Sequence, residues 1–118
     1  MKLIMLGTGN AAVVNCYNTC FALCRGENFF LVDAGGGNGI LQQLQKAHIP
    51  LNGIHEIFVT HADTDHILGV IWMIRVVAQA MQKGEYEGTL RVYGHDKVVK
   101  VLDWICRMTL PKKIVVRL

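Results

Sequence analysis

The 118-residue sequence holds four cysteines but no CxxC pair, only two prolines, and no long basic run. Without a CxxC pair there is no zinc-finger or thioredoxin-type motif. Cys16, Cys20 and Cys24 follow a Cys-x3-Cys-x3-Cys spacing that matches no established metal pattern. The simpler reading is buried free thiols, with Cys20 and Cys24 sharing a strand face with Ala22, as a reducing cytoplasm allows. Net charge is +3, and the densest basic cluster, Lys112-Lys113 with Arg117, is too thin to argue for nucleic-acid binding by itself. The longest apolar stretch, Ile67 to Met81, is broken by Arg75 and Gln79 and falls short of the ~20 residues a membrane span needs. Met1-Lys2 leads straight into a short apolar segment, with no signal-peptide pattern. Together these absences predict a soluble, cytoplasmic chain with no membrane contact. No linker, repeat or low-complexity stretch interrupts residues 1–118, so one domain is expected.

What the sequence does have is apolar residues, at 52%, with a mean hydropathy of +0.31. That is high for so small a domain, and predicts apolar surface in need of a partner or a further segment. The periodicities give an order of elements. Leu3 to Leu6, Thr19 to Cys24, Phe29 to Val32, Glu56 to Thr60 and Leu90 to Tyr93 read as strands, with Arg25-Gly26-Glu27-Asn28 as a hairpin turn. Asn38 is placed to cap a helix to about Ala47, with Ile40, Leu41 and Leu44 on one face. A second helix runs from about Ile67 to Lys83 and is apolar almost all round. Asp96 is placed to cap a third, Lys97 to Met108, with Val98, Val99, Leu102 and Ile105 inward. Pro111 closes it, and Ile114 to Val116 reads as the beginning of another strand. This order predicts an α/β layered domain.

Two stretches carry chemistry-bearing residues. Leu6-Gly7-Thr8-Gly9-Asn10-Ala11-Ala12 follows a strand and contains GxGxxA, as a dinucleotide site would. That reading needs a helix opening at the second glycine. The residues that follow, Val13 to Thr19, are β-branched and Asn-rich without helical period, which favours a plain glycine turn. The other stretch is Ile57 to Gly69, IFVTHADTDHILG, where His61, Asp63, Asp65 and His66 fall within six residues between a strand and a helix. Strand-to-helix loops expose functional groups in α/β folds, and His nitrogens and Asp oxygens are metal donors. Helix capping by Asp63 or Asp65 is the structural alternative. It explains one aspartate and neither histidine.

With its surroundings, this stretch resembles the His-x-His-x-Asp-His motif of the metallo-β-lactamase superfamily, in its ribonuclease Z-like and phosphodiesterase-type branch. Leu6-Gly7-Thr8-Gly9 is similar to the family's opening strand and turn. Phe30-Leu31-Val32-Asp33-Ala34-Gly35-Gly36 is similar to its "strand, Asp, small, Gly" motif, and Asp65-His66-Ile67-Leu68-Gly69 to the far side of the metal motif. The resemblance runs in order over nearly the whole chain. It implies an αββα sandwich of which this chain is the first αβ half.

The resemblance also implies one or two divalent ions, zinc or alternatively Mn or Fe. His61 would hold the first ion, and Asp65 and His66 the second. Asp65 would also move a proton while a metal-bound hydroxide attacks a phosphodiester or similar ester. Asp33 would hold the ligand loop by hydrogen bonds, although a turn-forming Asp before Ala-Gly-Gly reads equally well.

Two departures from the family pattern stand out. Asp63 occupies the position of the family's second histidine, a harder and charged donor that shifts preference toward Mn or Fe. The second half of the fold, with its further ligands, has no counterpart. His95, in a later strand-to-helix loop, is the best remaining candidate donor, while His48 and His55 are expected at the surface. A half-sandwich leaves a sheet face uncovered, to be met by a homodimer partner or a missing C-terminal half. The alternative to a hydrolase is a degenerate homologue serving as a binding or assembly module.

Overall fold

A computed structural model describes residues 1–10, 12 and 16–109. The expected strand at Ile114 to Val116, the Pro111 stop, the Lys112-Lys113-Arg117 cluster and Val13 to Asn15 lie outside the described residues. The elements follow the order expected. They are β1 (Lys2–Gly7), β2 (Cys20–Arg25), β3 (Asn28–Val32), α1 (Gly39–Lys46), β4 (Ile54–Val59), α2 (Thr64–Gln82), β5 (Arg91–Gly94) and α3 (Asp96–Thr109). A short 3-10 turn, Leu51–Gly53, leads into β4.

The five strands form one sheet in the order β1-β2-β3-β4-β5. β1, β2 and β3 are antiparallel neighbours, with Arg25 opposite Asn28 across a turn in which Gly26 takes φ 63°. β3, β4 and β5 run parallel, joined by helical crossovers. This parallel half sends the ends of β3, β4 and β5 to the same edge of the sheet.

Strand alternation separates two faces. Along the register, Ile4, Ala22, Leu31, Ile57 and Val92 lie side by side and point toward the helices. There they meet Ile40 and Leu44 of α1, Ile67, Val70, Met73 and Ile74 of α2, and Val98, Leu102 and Cys106 of α3. The i, i+4 stripes of α1 and α3 are those the periodicity predicts, with Cys106 added at the end of the α3 stripe and Val99 and Ile105 half-buried beside it. Cys20 and Ala22 are buried on one face of β2, and Cys24 is half-buried beyond them. Burial pushes the thiols of Cys20 and Cys106 up to about 12 and about 11, with minor additions from Asp33 and Asp103 respectively.

The opposite face carries a second ladder, Met5, Phe21, Val32, Phe58 and Tyr93, beside Leu3, Leu23, Phe30, Glu56 and Arg91. Among the described residues, no helix covers it: Leu3 is 56% exposed, Met5 48%, Phe58 41% and Tyr93 39%. Near β5 its apolar character is broken by Arg91 and by Glu56, which accepts a hydrogen bond from the Tyr93 hydroxyl at 3.0 Å. The high hydropathy therefore reflects two apolar faces on one sheet, of which one is packed.

Some expectations change. α2 starts at Thr64, not Ile67, so Asp65 and His66 belong to its first turn. Asn38 sits at the start of α1 without a side-chain capping bond, and α3 begins at Asp96 itself. Among the described residues, no helix is long and apolar enough to cross a membrane.

The start of α2 is set by close backbone approach. Gly69 N–H donates to the Gly35 carbonyl at 2.8 Å, and a Cβ at Gly69 would collide with the Ala34 carbonyl. Gly69→Ala should cost roughly 2–3 kcal/mol in urea unfolding. Gly37→Ala, where an added Cβ meets nothing within 4 Å, should change stability by less than about 0.5 kcal/mol. Equal losses for the two variants would contradict this seating of α2.

Candidate functional site

The candidate residues meet where β3 and β4 end and α2 begins, the edge at which open parallel sheets present functional groups. Asp33 follows β3 directly. It is 4% exposed and its backbone takes φ 58°, a left-handed conformation that Asp tolerates better than most side chains. Its N–H donates to the Phe58 carbonyl at 2.8 Å, carrying the parallel ladder one step past the strand. The carboxylate accepts three hydrogen bonds. Thr60 N–H reaches Oδ1 at 2.9 Å and the Thr60 hydroxyl reaches Oδ2 at 2.7 Å. His66 Nδ1 also reaches Oδ2, at 2.9 Å. One buried carboxylate thus links the end of β3, the end of β4 and the first turn of α2.

His61, Asp63 and Asp65 lie beside this anchor, next to His66. The His61 and His66 rings lie 3.9 Å apart between centroids, tilted by 49°. Asp33 Oδ2 only accepts, so His66 Nδ1 carries a proton, and in the neutral ring Nε2 then holds a lone pair. That lone pair faces Asp65 Oδ2 at 3.0 Å. Two acceptors at this distance attract only through a shared cation, a proton or a metal. Asp63 takes the N-cap position of α2 but makes no capping bond; its Oδ2 lies 3.4 Å from His61 Nε2. Asp63 thus stands at the N-cap without a capping bond, while Asp65 lies in the first turn, where the helix dipole favours a carboxylate.

Neutral imidazole nitrogens beside carboxylate oxygens are a donor set that suits a divalent ion. They form two N–O pairs at an open edge. Among the described residues, no group of three or more His, Cys, Asp or Glu side chains is arranged to hold an ion. By chemistry, these residues fit part of a metal site, and the described residues do not complete one.

The loop that carries Asp33 is held from behind by residues the sequence did not mark. The Tyr17 hydroxyl is shared between the carbonyls of Ala34, at 2.5 Å, and Gly37, at 2.9 Å. Burial pushes this phenol up to about 12, so it stays a donor across the neutral range. Gly35, at φ 76°, lies against the Tyr17 ring, where a Cβ would collide. Gly36 N–H donates to Asn18 Oδ1 at 3.0 Å.

The remaining candidates stand apart. His95 is exposed after β5, and among the described residues no side-chain hydrogen bond joins it to the cluster. His48 is exposed in a left-handed turn. His55 is not a free surface residue. It is half-buried, with Nε2 at 2.8 Å from the Asn52 carbonyl and Nδ1 at 2.9 Å from the Tyr86 hydroxyl. At the glycine turn after β1, Gly9 forms a bridge with Asn18 rather than opening a helix, and β1 pairs antiparallel with β2. That is not the frame a dinucleotide fingerprint requires.

Solved structures with this arrangement define the class as the metallo-β-lactamase fold. The short form of human tRNase Z superposes with a TM-score of 0.78 at 22% identity, over 98% of this chain and 41% of that one. A diphosphatase of the PhnP family gives 0.73 at 19% identity, over 92% and 47%. A metallo-β-lactamase fold protein of Bacillus subtilis gives 0.70 at 22%, over 87% and 41%.

A family model described as Anti-Pycsar protein Apyc1 matches residues 1–108, and the chain belongs to that family, in a ribonuclease Z-like N-terminal region of the metallo-β-lactamase superfamily. The ribonuclease Z of Methanocaldococcus jannaschii is 32% identical over 104 residues, covering 87% of this chain and 31% of the relative. That of Methanothermobacter thermautotrophicus is 33% identical over 109 residues, covering 92% and 34%. The chain thus spans about a third of the length of these curated relatives.

Asp33→Ala removes the carboxylate that accepts three hydrogen bonds and leaves their donors facing a buried gap. It should destabilise the fold by about 2–3 kcal/mol in urea unfolding. Asp63→Ala, at an exposed position, should change stability by less than about 0.5 kcal/mol. An Asp33→Ala variant as stable as Asp63→Ala would contradict the anchoring role of Asp33.

Proposed function

We propose that this chain carries the N-terminal, donor-bearing part of a metal-dependent hydrolase acting on phosphodiesters. The observation that supports it most is the pair of histidines around one buried carboxylate, with the His66 Nε2 lone pair turned to Asp65 Oδ2 at 3.0 Å. In this reading His61 with Asp63 forms one side of the metal site, and Asp65 with His66 the other. A divalent ion bound there would act as a Lewis acid on a phosphoryl oxygen and lower the pKa of the attacking water.

The chain's own residues do the rest. Asp33 holds His66 in the tautomer that leaves Nε2 free. We assign proton transfer to Asp65, whose carboxylate is within hydrogen-bond reach of an imidazole that is itself anchored. Zinc suits the donors, and Asp63 in place of a third imidazole makes the set harder and more favourable to Mn or Fe. The phosphodiester class is supported by the relatives' names, which are ribonuclease Z, tRNase Z and a diphosphatase.

A second reading, a non-catalytic binding or assembly module, is favoured by the lack of a three-donor group among the described residues and by the open apolar sheet face. In both readings that face takes a second apolar layer, from a C-terminal half of the fold or from a second copy of the chain.

Elemental analysis after reconstitution with Zn, Mn or Fe, combined with light scattering, separates the two readings. The hydrolase reading expects near-stoichiometric metal that is lost in His61→Ala. It also expects metal-dependent hydrolysis of bis(p-nitrophenyl) phosphate once the fold is completed. A reconstituted protein without metal would leave the assembly module as the function, and the molar mass would then distinguish a dimer from a lone half.

A further inference from the structure

We propose that Thr60 is a positioning residue: its hydroxyl relays the Asp33 carboxylate to His61 and fixes that imidazole with its proton on Nδ1 and its lone pair on Nε2. The argument is a count of hydrogens. A threonine hydroxyl has one hydrogen to donate and two lone pairs. Asp33 Oδ2, 2.7 Å away, is an acceptor, so the Thr60 hydrogen points there. His61 Nδ1 lies 2.8 Å from the same hydroxyl oxygen, which has only lone pairs left to offer. His61 Nδ1 therefore carries a proton, and Nε2 is left bare on the side of Asp63 Oδ2.

One carboxylate oxygen thereby sets both histidines, His66 by direct contact and His61 through Thr60. The relay matters more at His61, whose side chain is 48% exposed against 14% for His66. A ring so open to water has little beyond the His66 ring packed against it, and in water the Nε2–H form of an imidazole predominates. The hydroxyl is itself held in place. Thr60 N–H grips Asp33 Oδ1 at 2.9 Å while its Oγ1 grips Oδ2, and β-branching restricts χ1. The left-handed backbone of Asp33 turns the carboxylate toward this two-point grip.

The consequence for metal binding rests on the proposed function; the tautomer does not. The test is long-range 1H–15N NMR on histidine-labelled protein without metal, at a pH where both imidazoles are neutral. The wild type should show His61 protonated at Nδ1. Thr60→Val keeps the shape and the backbone bond to Asp33 but removes the hydroxyl, and should turn His61 to the Nε2–H form. Thr60→Ser should restore Nδ1–H. His66 should stay Nδ1–H in all three, reporting an intact Asp33.

On the same proteins, zinc affinity should fall about 10–100-fold in Thr60→Val and recover in Thr60→Ser. A wild-type His61 already in the Nε2–H form, or a Val variant that keeps Nδ1–H, would overturn the relay. A wild type that takes up no zinc would count against the metal reading alone, because the tautomers still decide the role of Thr60.

Discussion

The buried carboxylate of Asp33 is the constraint on which the site depends. A carboxylate removed from water is costly unless donors surround it. Here the donors come from two other elements, the end of β4 through Thr60 and the first turn of α2 through His66. Satisfying Asp33 therefore ties the end of β4 to the first turn of α2 and sets which way the His66 imidazole faces. Among the described residues, no buried side-chain nitrogen or oxygen is left without a hydrogen-bond partner. The functional edge is thus held by electrostatic demand as much as by packing.

Packing supplies the frame for that demand. The helices bury one face of the sheet, and the backbone of α2 presses onto the loop after β3 through Gly69. Behind that loop, Tyr17 and Asn18 take up carbonyl and N–H groups that a glycine-rich turn would otherwise expose. The other sheet face, with Leu3, Met5 and Phe58 in solvent, is built like a core that lacks its second wall. On the proposed reading, the layer that covers this face also brings the donors that the two N–O pairs lack.

Much of this was legible in the sequence, because it rests on local pattern. Strand alternation, the i, i+4 stripes of α1 and α3, the Gly26 turn and the His/Asp cluster are each written within a few neighbouring residues. The start of α2 was read three residues late because His66 and Asp65 look like loop residues in sequence, while their place in the helix is imposed by Asp33, 33 positions before His66. Thr60, although inside the His/Asp stretch, and Tyr17 escape notice for the same reason: the partners that give them their roles lie 27 and 17 positions away. His55 was read as a surface residue, since nothing near it foretells the Tyr86 hydroxyl, 31 positions on. Sequence periodicity reports which face is apolar, and long-range hydrogen bonds become visible only once the strands are paired.

The most direct measurement of the central claim is a crystal structure of the protein soaked with zinc, with the ion located by its anomalous scattering. The account predicts zinc on the Nε2 atoms of His61 and His66, with His66 Nδ1 still on Asp33 and His61 Nδ1 still on Thr60. Zinc on an Nδ1 atom, or rings turned away from Asp33 and Thr60 to reach it, would contradict the claim that one buried carboxylate organises this site.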